Sequence, residues 1–182
     1  MNFFYFIFIY SLLTISIIGY GFLFSYKFTK YNCIVSNKIS IGYIGIFGVF
    51  FSIFLSYLSN LIFPHNNLHN LIFIFFGILF FAIFLNKYKK NLYFNYFLFS
   101  FFIYFIAIFL FKNHDDFSYY HMSFITNLTL NKIEFGISHF DVAFNHNSSL
   151  FYFHSLFKTF LTGDYFYQIG QASLVIFVNT IL

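Results

Sequence analysis

The sequence predicts an all-α protein: a polytopic bundle of transmembrane helices with one extracytoplasmic loop segment, residues 112–164, that contains a juxtamembrane amphipathic helix. Three observations point there. Of the 182 residues 60% are hydrophobic and only 8% are charged, and the mean hydropathy is +0.80. A soluble domain carries about 25% charged residues, so this supply cannot cover a water-facing surface. The apolar residues gather in runs long enough to cross a bilayer, and the charges are segregated, with all five acids inside residues 112–164.

A crossing helix needs about 20 mostly apolar residues, because each residue rises only ~1.5 Å. Residues 3–24 form the first run. The N-terminus has no basic stretch and no small-residue cleavage site after the run, so it reads as a retained span and not as a signal peptide. Residues 39–63 are the second span. Here Gly48, Ser52 and Ser56 recur every four residues, a small-residue face that lets helix backbones approach closely; Gly19 and Gly21 are read the same way in the first. Residues 68–85 and 92–111 are the third and fourth, completing a transmembrane domain over residues 1–111. A fifth run starts near residue 165 and is still apolar at Leu182, which reads as the start of a fifth span in the N-terminal part of a larger protein. The 37 Phe and 16 Tyr residues accompany Ile, Asn and Lys, all drawn from AT-rich codons, so their abundance reflects genome composition and not an aromatic binding code. Cys33 is the only cysteine, so no disulfide within the chain and no thiol-metal site is expected.

Direction follows from the lysines. Lys27, Lys30 and Lys38 fill the loop after the first span, and Lys87, Lys89 and Lys90 the loop after the third, with no acid in either. Pro64-His65-Asn66-Asn67, after the second, has no lysine. Basic loops stay cytoplasmic, so the N-terminus, the 64–70 turn and residues 112–164 are expected on the outer face of a bacterial cell membrane. The lysines are dispersed between runs, which excludes a nucleic-acid patch; the partner is membrane lipid.

The outer segment opens with Asp115 and Asp116. Two adjacent carboxylates beside an apolar surface raise each other's pKa, which prepares a general base near neutral pH. The pair also suits a divalent cation such as Mg²⁺ or Mn²⁺. The plainer reading is an acidic cap paired with Lys112. His139, Asp141 and His146 make a second polar cluster. Asn147, Ser148 and Ser149 are N-cap residues ahead of a helix over residues 149–161. Positions 150, 153, 157, 160 and 161 give it an apolar face, with Ser155 and Thr159 opposite, which suits a helix lying in the membrane interface.

Asp115-Asp116-Phe117-Ser118-Tyr119-Tyr120-His121 resembles the acidic loop motif of GT-C type membrane glycosyltransferases. The stretch from Gly136 to Phe151 is similar to one that follows such a motif in some large bacterial multispan proteins. The resemblance covers about 40 residues. It implies that Asp115 or Asp116 serves as base toward an acceptor hydroxyl, or binds metal, that Tyr120 and His121 line the site, and that the donor is a sugar on a polyprenyl phosphate. His139 and Asp141 are carried as further substrate-binding candidates. In that family the acidic loop follows the first span; here it follows the fourth. Residues 1–182 alone are expected to be inactive. Two alternatives stand beside this: a non-catalytic or transport-type membrane protein with the acidic loop as a vestibule, and a truncated reading frame. Spans 1–4 contain no charge, which counts against transport.

Overall fold

In hydrocarbon no water is present to satisfy bare backbone, so an apolar run must pair its own N–H and C=O groups, and a helix does this whatever the modest helix propensity of Phe and Ile. The structure, a computed structural model, describes residues 3–28, 34–35, 38–88, 92–110, 121–136, 139, 148–162 and 169–182. In chain order the elements are α1 (Phe3–Phe28), β1 (Ile34–Val35), β2 (Lys38–Ser40), α2 (Ile41–Ile62), α3 (Asn67–Tyr88), β3 (Leu92–Tyr93), α4 (Asn95–Leu110), α5 (Met122–Leu130), α6 (Ser149–Ser155) and α7 (Ile169–Ile181). α1 to α4 and α7 fall on the predicted apolar runs, but the second and fourth begin later than predicted, at Ile41 and Asn95, because residues 39–40 and 92–93 are strands, and α5 was not predicted. The bundle is all-α apart from that three-stranded patch of very short strands, in the order β1-β2-β3.

α1, α2 and α3 are long and apolar enough to cross a membrane. With 26, 22 and 22 residues they run for roughly 39, 33 and 33 Å, against a hydrocarbon core of about 30 Å. The chain is an integral membrane protein. α4 and α7 are shorter apolar helices. Pro64 falls in the turn after α2, where its missing N–H costs no helical bond. Asn66 caps α3, its side-chain oxygen accepting from the His69 N–H at 2.9 Å.

Lipid is as apolar as leucine, so these helices gain little by hiding hydrophobic surface from one another; close van der Waals approach has to hold them. α1 sits between α2 and α3 and meets both through glycine. A Cβ on Gly19 would strike the Gly77 carbonyl of α3, and one on Gly21 would strike the Ile44 carbonyl of α2. Gly48, on the predicted small-residue face, packs in the same way on the Ile17 carbonyl of α1. Tyr20 of α1 stacks on Phe73 of α3 with centroids 4.3 Å apart and donates its hydroxyl to the Phe73 carbonyl at 2.8 Å. α7 lies between α2 and α4: its Phe177 presses on Gly45 of α2 and stacks on Phe97 of α4.

The two ends differ. At one, β2 pairs in parallel with β3, Ile39 opposite Leu92 and Ser40 opposite Tyr93. This joins the two lysine-rich loops at a single end, as their shared charge pattern predicts. At the other, the α2–α3 turn meets α5 and α6, the His65 N–H donating to the Leu128 carbonyl at 2.9 Å. The start of α1 is at that end too, where the Tyr5 hydroxyl donates to the Leu161 carbonyl at 2.6 Å.

The amphipathic helix differs from expectation in length and setting. It begins as predicted, with the Ser148 side chain accepting from the Leu150 N–H at 3.3 Å. It ends at Ser155, and residues 156–162 continue in turns. Ser155 and Thr159, expected on the water face, are buried at 0% and 4% exposure, whereas Phe160 of the expected apolar face is 70% exposed. Ser155 turns inward to His65 at the end of the bundle, and Thr159 turns inward onto Thr162. α6 is packed between α2, α5 and α7.

Candidate functional site

The polar residues that converge at this end come from the tips of two apolar runs. α2 closes with Ser56, Ser59 and Asn60, the turn supplies His65, and α3 opens with His69 and Asn70. All except Ser59 and His69 are completely buried. Buried polar groups are as a rule paired, and α5, α6 and the turns after α6 bring most of the partners, with Asn60 Oδ1 left without one. Nδ1 of His65 lies 2.6 Å from Ser155 Oγ, and Nε2 lies 2.9 Å from Ser59 Oγ. Asn70 donates to three carbonyls: His65 at 2.9 Å, and Ser155 and Lys158 at 2.7 Å each. Ser56 donates to the Tyr152 carbonyl at 2.6 Å, and Asn60 to the Leu128 carbonyl at 3.0 Å. Lys158 reaches across to Thr126 of α5 at 2.7 Å.

The network assigns the His65 tautomer. Ser155 donates its hydroxyl proton to the Tyr152 carbonyl at 2.7 Å, so it offers only lone pairs to the ring, and Nδ1 carries the proton. Nε2 then accepts from Ser59, whose other acceptor, the Ser56 carbonyl, is farther away at 3.2 Å. A neutral ring satisfies both serines. Burial pushes the His65 pKa down to about 3, helped by a positive charge on His69, whose ring stacks on it at 4.9 Å; the Ser56 carbonyl opposes this.

A second histidine holds α6 from the other side. His154 is 4% exposed, and its Nε2 accepts the Gly170 N–H at 3.2 Å. Gly170 is in the first turn of α7, where a backbone N–H has no partner within its own helix. Gln171 hydrogen-bonds the ring. Burial again lowers the pKa to about 3, with His121 adding to the effect. Glycine is required at position 170, because a Cβ there would come within 2.7 Å of His154 Nε2.

Of the residues singled out in the sequence, Asp115, Asp116, Tyr120 and Asp141 lie outside the described residues, as do His114 and His146. His121 stands directly before α5, half-buried, with its ring 4.8 Å from Phe151 of α6. His139 is exposed, on a turn that its own N–H closes onto the Gly136 carbonyl at 2.9 Å. Gly136 there has φ of +83°, where a side chain would be strained. Among the described residues no group of three or more His, Cys, Asp or Glu side chains is placed to hold a metal ion. His65, Asn70 and His154 were not among the candidate site residues read from the sequence, although polar residues closing two apolar runs were the available signal. No protein-family model, curated protein or solved structure matches the chain.

Proposed function

We propose that this is a multi-pass protein of a bacterial cell membrane that presents residues 112–164 to the outside and transfers sugar there, from a lipid-phosphate-linked donor to an envelope glycan. One observation carries the reading. The two lysine-rich loops share one end of the bundle, and the helices of the polar segment are packed on the other. Cytoplasmic lysines then put α5 and α6 at the outer boundary, where a lipid-linked sugar and its acceptor would meet. Asp115 and Asp116 precede α5 and belong to the motif that resembles the glycosyltransferase acidic loop. In this reading one of them takes the acceptor hydroxyl's proton as the lipid phosphate leaves, with Tyr120 and His121 beside the sugar. His139 and Asp141 are secondary candidates. A divalent cation held by the acidic pair would stabilise the departing phosphate.

The experiment combines sidedness with chemistry in the cells that make the protein. Reporters fused at Asn113 and Lys89 are expected on opposite sides, Asn113 outside. Incorporation of label from a polyprenyl-phosphate-linked hexose into envelope glycan is then compared between wild type and the variants Asp115→Asn and Asp116→Asn. Asparagine keeps shape and removes charge, so at least one variant should lose about 10²–10⁴-fold in rate at unchanged membrane insertion. Normal incorporation in both variants and in the double variant would leave an acidic cap as the better account.

A further inference from the structure

α6 is gripped on two sides by histidines that work only when uncharged. On the α7 side, His154 Nε2 accepts the Gly170 N–H at 3.2 Å. An imidazolium has no lone pair to accept with; its Nε2–H would point at another N–H, and its charge would sit at the positive end of a helix dipole. On the opposite side, His65 bridges Ser155 of α6 and Ser59 of α2 from a site that is 0% exposed. Protonation would place a charge there with only hydroxyl and carbonyl groups, among the described residues, to receive it. Among the described residues, the charged groups acting on both rings are themselves imidazoles. His69 of α3 stacks on His65, and His121, ahead of α5, acts on His154. From α2, Tyr57 stacks on Tyr152 of α6, and α7 carries no ionisable side chain. Lys158 turns its ammonium to Thr126. Glu134, the only acidic side chain among the described residues, is exposed beyond α5.

We propose that α6 is a proton-released latch: at neutral pH the unprotonated rings of His65 and His154 fasten it between α2, the α2–α3 turn and α7, and acidification frees it. The sign follows from the two states. A released histidine titrates near its ordinary value of about 6.5, while the latched rings titrate at about 3. The latch is therefore at full strength above pH ~6.5 and weakens as the pH falls toward about 3. Each histidine released with α6 multiplies the open fraction about 25-fold between pH 7 and pH 5.

Deuterium uptake at the α6 amides, on the full chain in lipid nanodiscs at pH 7 and pH 5 and corrected for intrinsic exchange chemistry, reads the latch directly. Wild type should open about 600-fold more at pH 5, one factor of about 25 from each histidine, with the amides of α1 unaffected. His154→Gln, whose amide oxygen can still accept from Gly170, should remove about one 25-fold factor from that pH response, and His65→Gln the other. Uptake that is independent of pH in wild type would overturn the latch, as would an undiminished response in the double variant. If a glutamine variant fails to hold α6 at pH 7, ¹⁵N spectra of wild-type His154 decide. An unprotonated Nε2 at pH 7 and pH 6 is expected, and an imidazolium at pH 7 refutes the assignment.

Discussion

Two seams hold this bundle together, and they use opposite kinds of residue. Where α1 meets α2 and α3, bare backbone lies on bare backbone: Gly19 on Gly77, Gly21 on the Ile44 carbonyl, Gly48 on the Ile17 carbonyl. Where α6 meets the α2–α3 turn, side-chain hydrogen bonds converge from His65, Asn70, Ser56 and Ser59. The difference follows the surroundings. Deep in hydrocarbon, apolar surface has no reason to leave lipid, and close contact supplies most of the attraction, with the Tyr20–Phe73 hydrogen bond beside it. Near the membrane boundary water competes for every polar group, so a seam has to bury and pair them completely. The first seam should answer to volume and ignore pH; the second should tolerate small changes of shape and answer to lost partners and protons.

The largest effect is expected from adding volume to the first seam. Gly19→Val places carbon on the Gly77 carbonyl, and neither backbone can yield without moving a helix. A loss of about 3 kcal/mol or more is expected, read as a lower unfolding midpoint in mixed micelles and of the same size at pH 7.5 and pH 5. Wild-type stability would mean that the two helices are not in glycine contact. Next comes Asn70→Leu, which fits the space and strands three carbonyls. Unpaired buried groups cost about 1–3 kcal/mol each, but bonds between helices in membranes average nearer 0.6, so about 2 kcal/mol is expected for the set. Protection of the α6 amides should fall before the unfolding midpoint of the bundle does; loss of both together would merge the two seams into one. The smallest effect belongs to Ser148→Ala. Its cap bond is long at 3.3 Å, which puts the cost at about 0.5 kcal/mol, the low end for an N-cap. It should show as faster exchange at the start of α6 alone.

The same contrast explains what could be read in advance. Apolar runs and lysine spacing are local signals, and they yielded α1 to α4, with ends displaced by up to four residues, and the two lysine loops at one end. The glycine face of α2 was equally plain, since Gly48 is small wherever it sits. Ser155 and Thr159 misled because helical periodicity sorts residues into polar and apolar faces and assumes that the polar one meets water. Here Ser155 meets His65 of the α2–α3 turn and Asn70 of α3, 85 to 90 residues earlier in the chain, and Thr159 pairs with Thr162. His154, amid Phe and Tyr, had no periodic signature, and its partner Gly170 lies across residues of no regular pattern. The strands were unreadable for a simpler reason: two or three residues are too few to display an alternation.

The small sheet sets a depth gauge. β2 leads straight into α2 and β3 into α4, and their parallel register, Ser40 beside Tyr93, starts both helices at one level. The slot filled by Phe177 has one wall from each, Gly45 from α2 and Phe97 from α4. A slip of one residue between the strands would slide α4 by ~1.5 Å and turn it by about 100°, carrying Phe97 off the slot. α7, made after both of these helices, thus finds its berth already surveyed by a few backbone bonds at one end of the bundle.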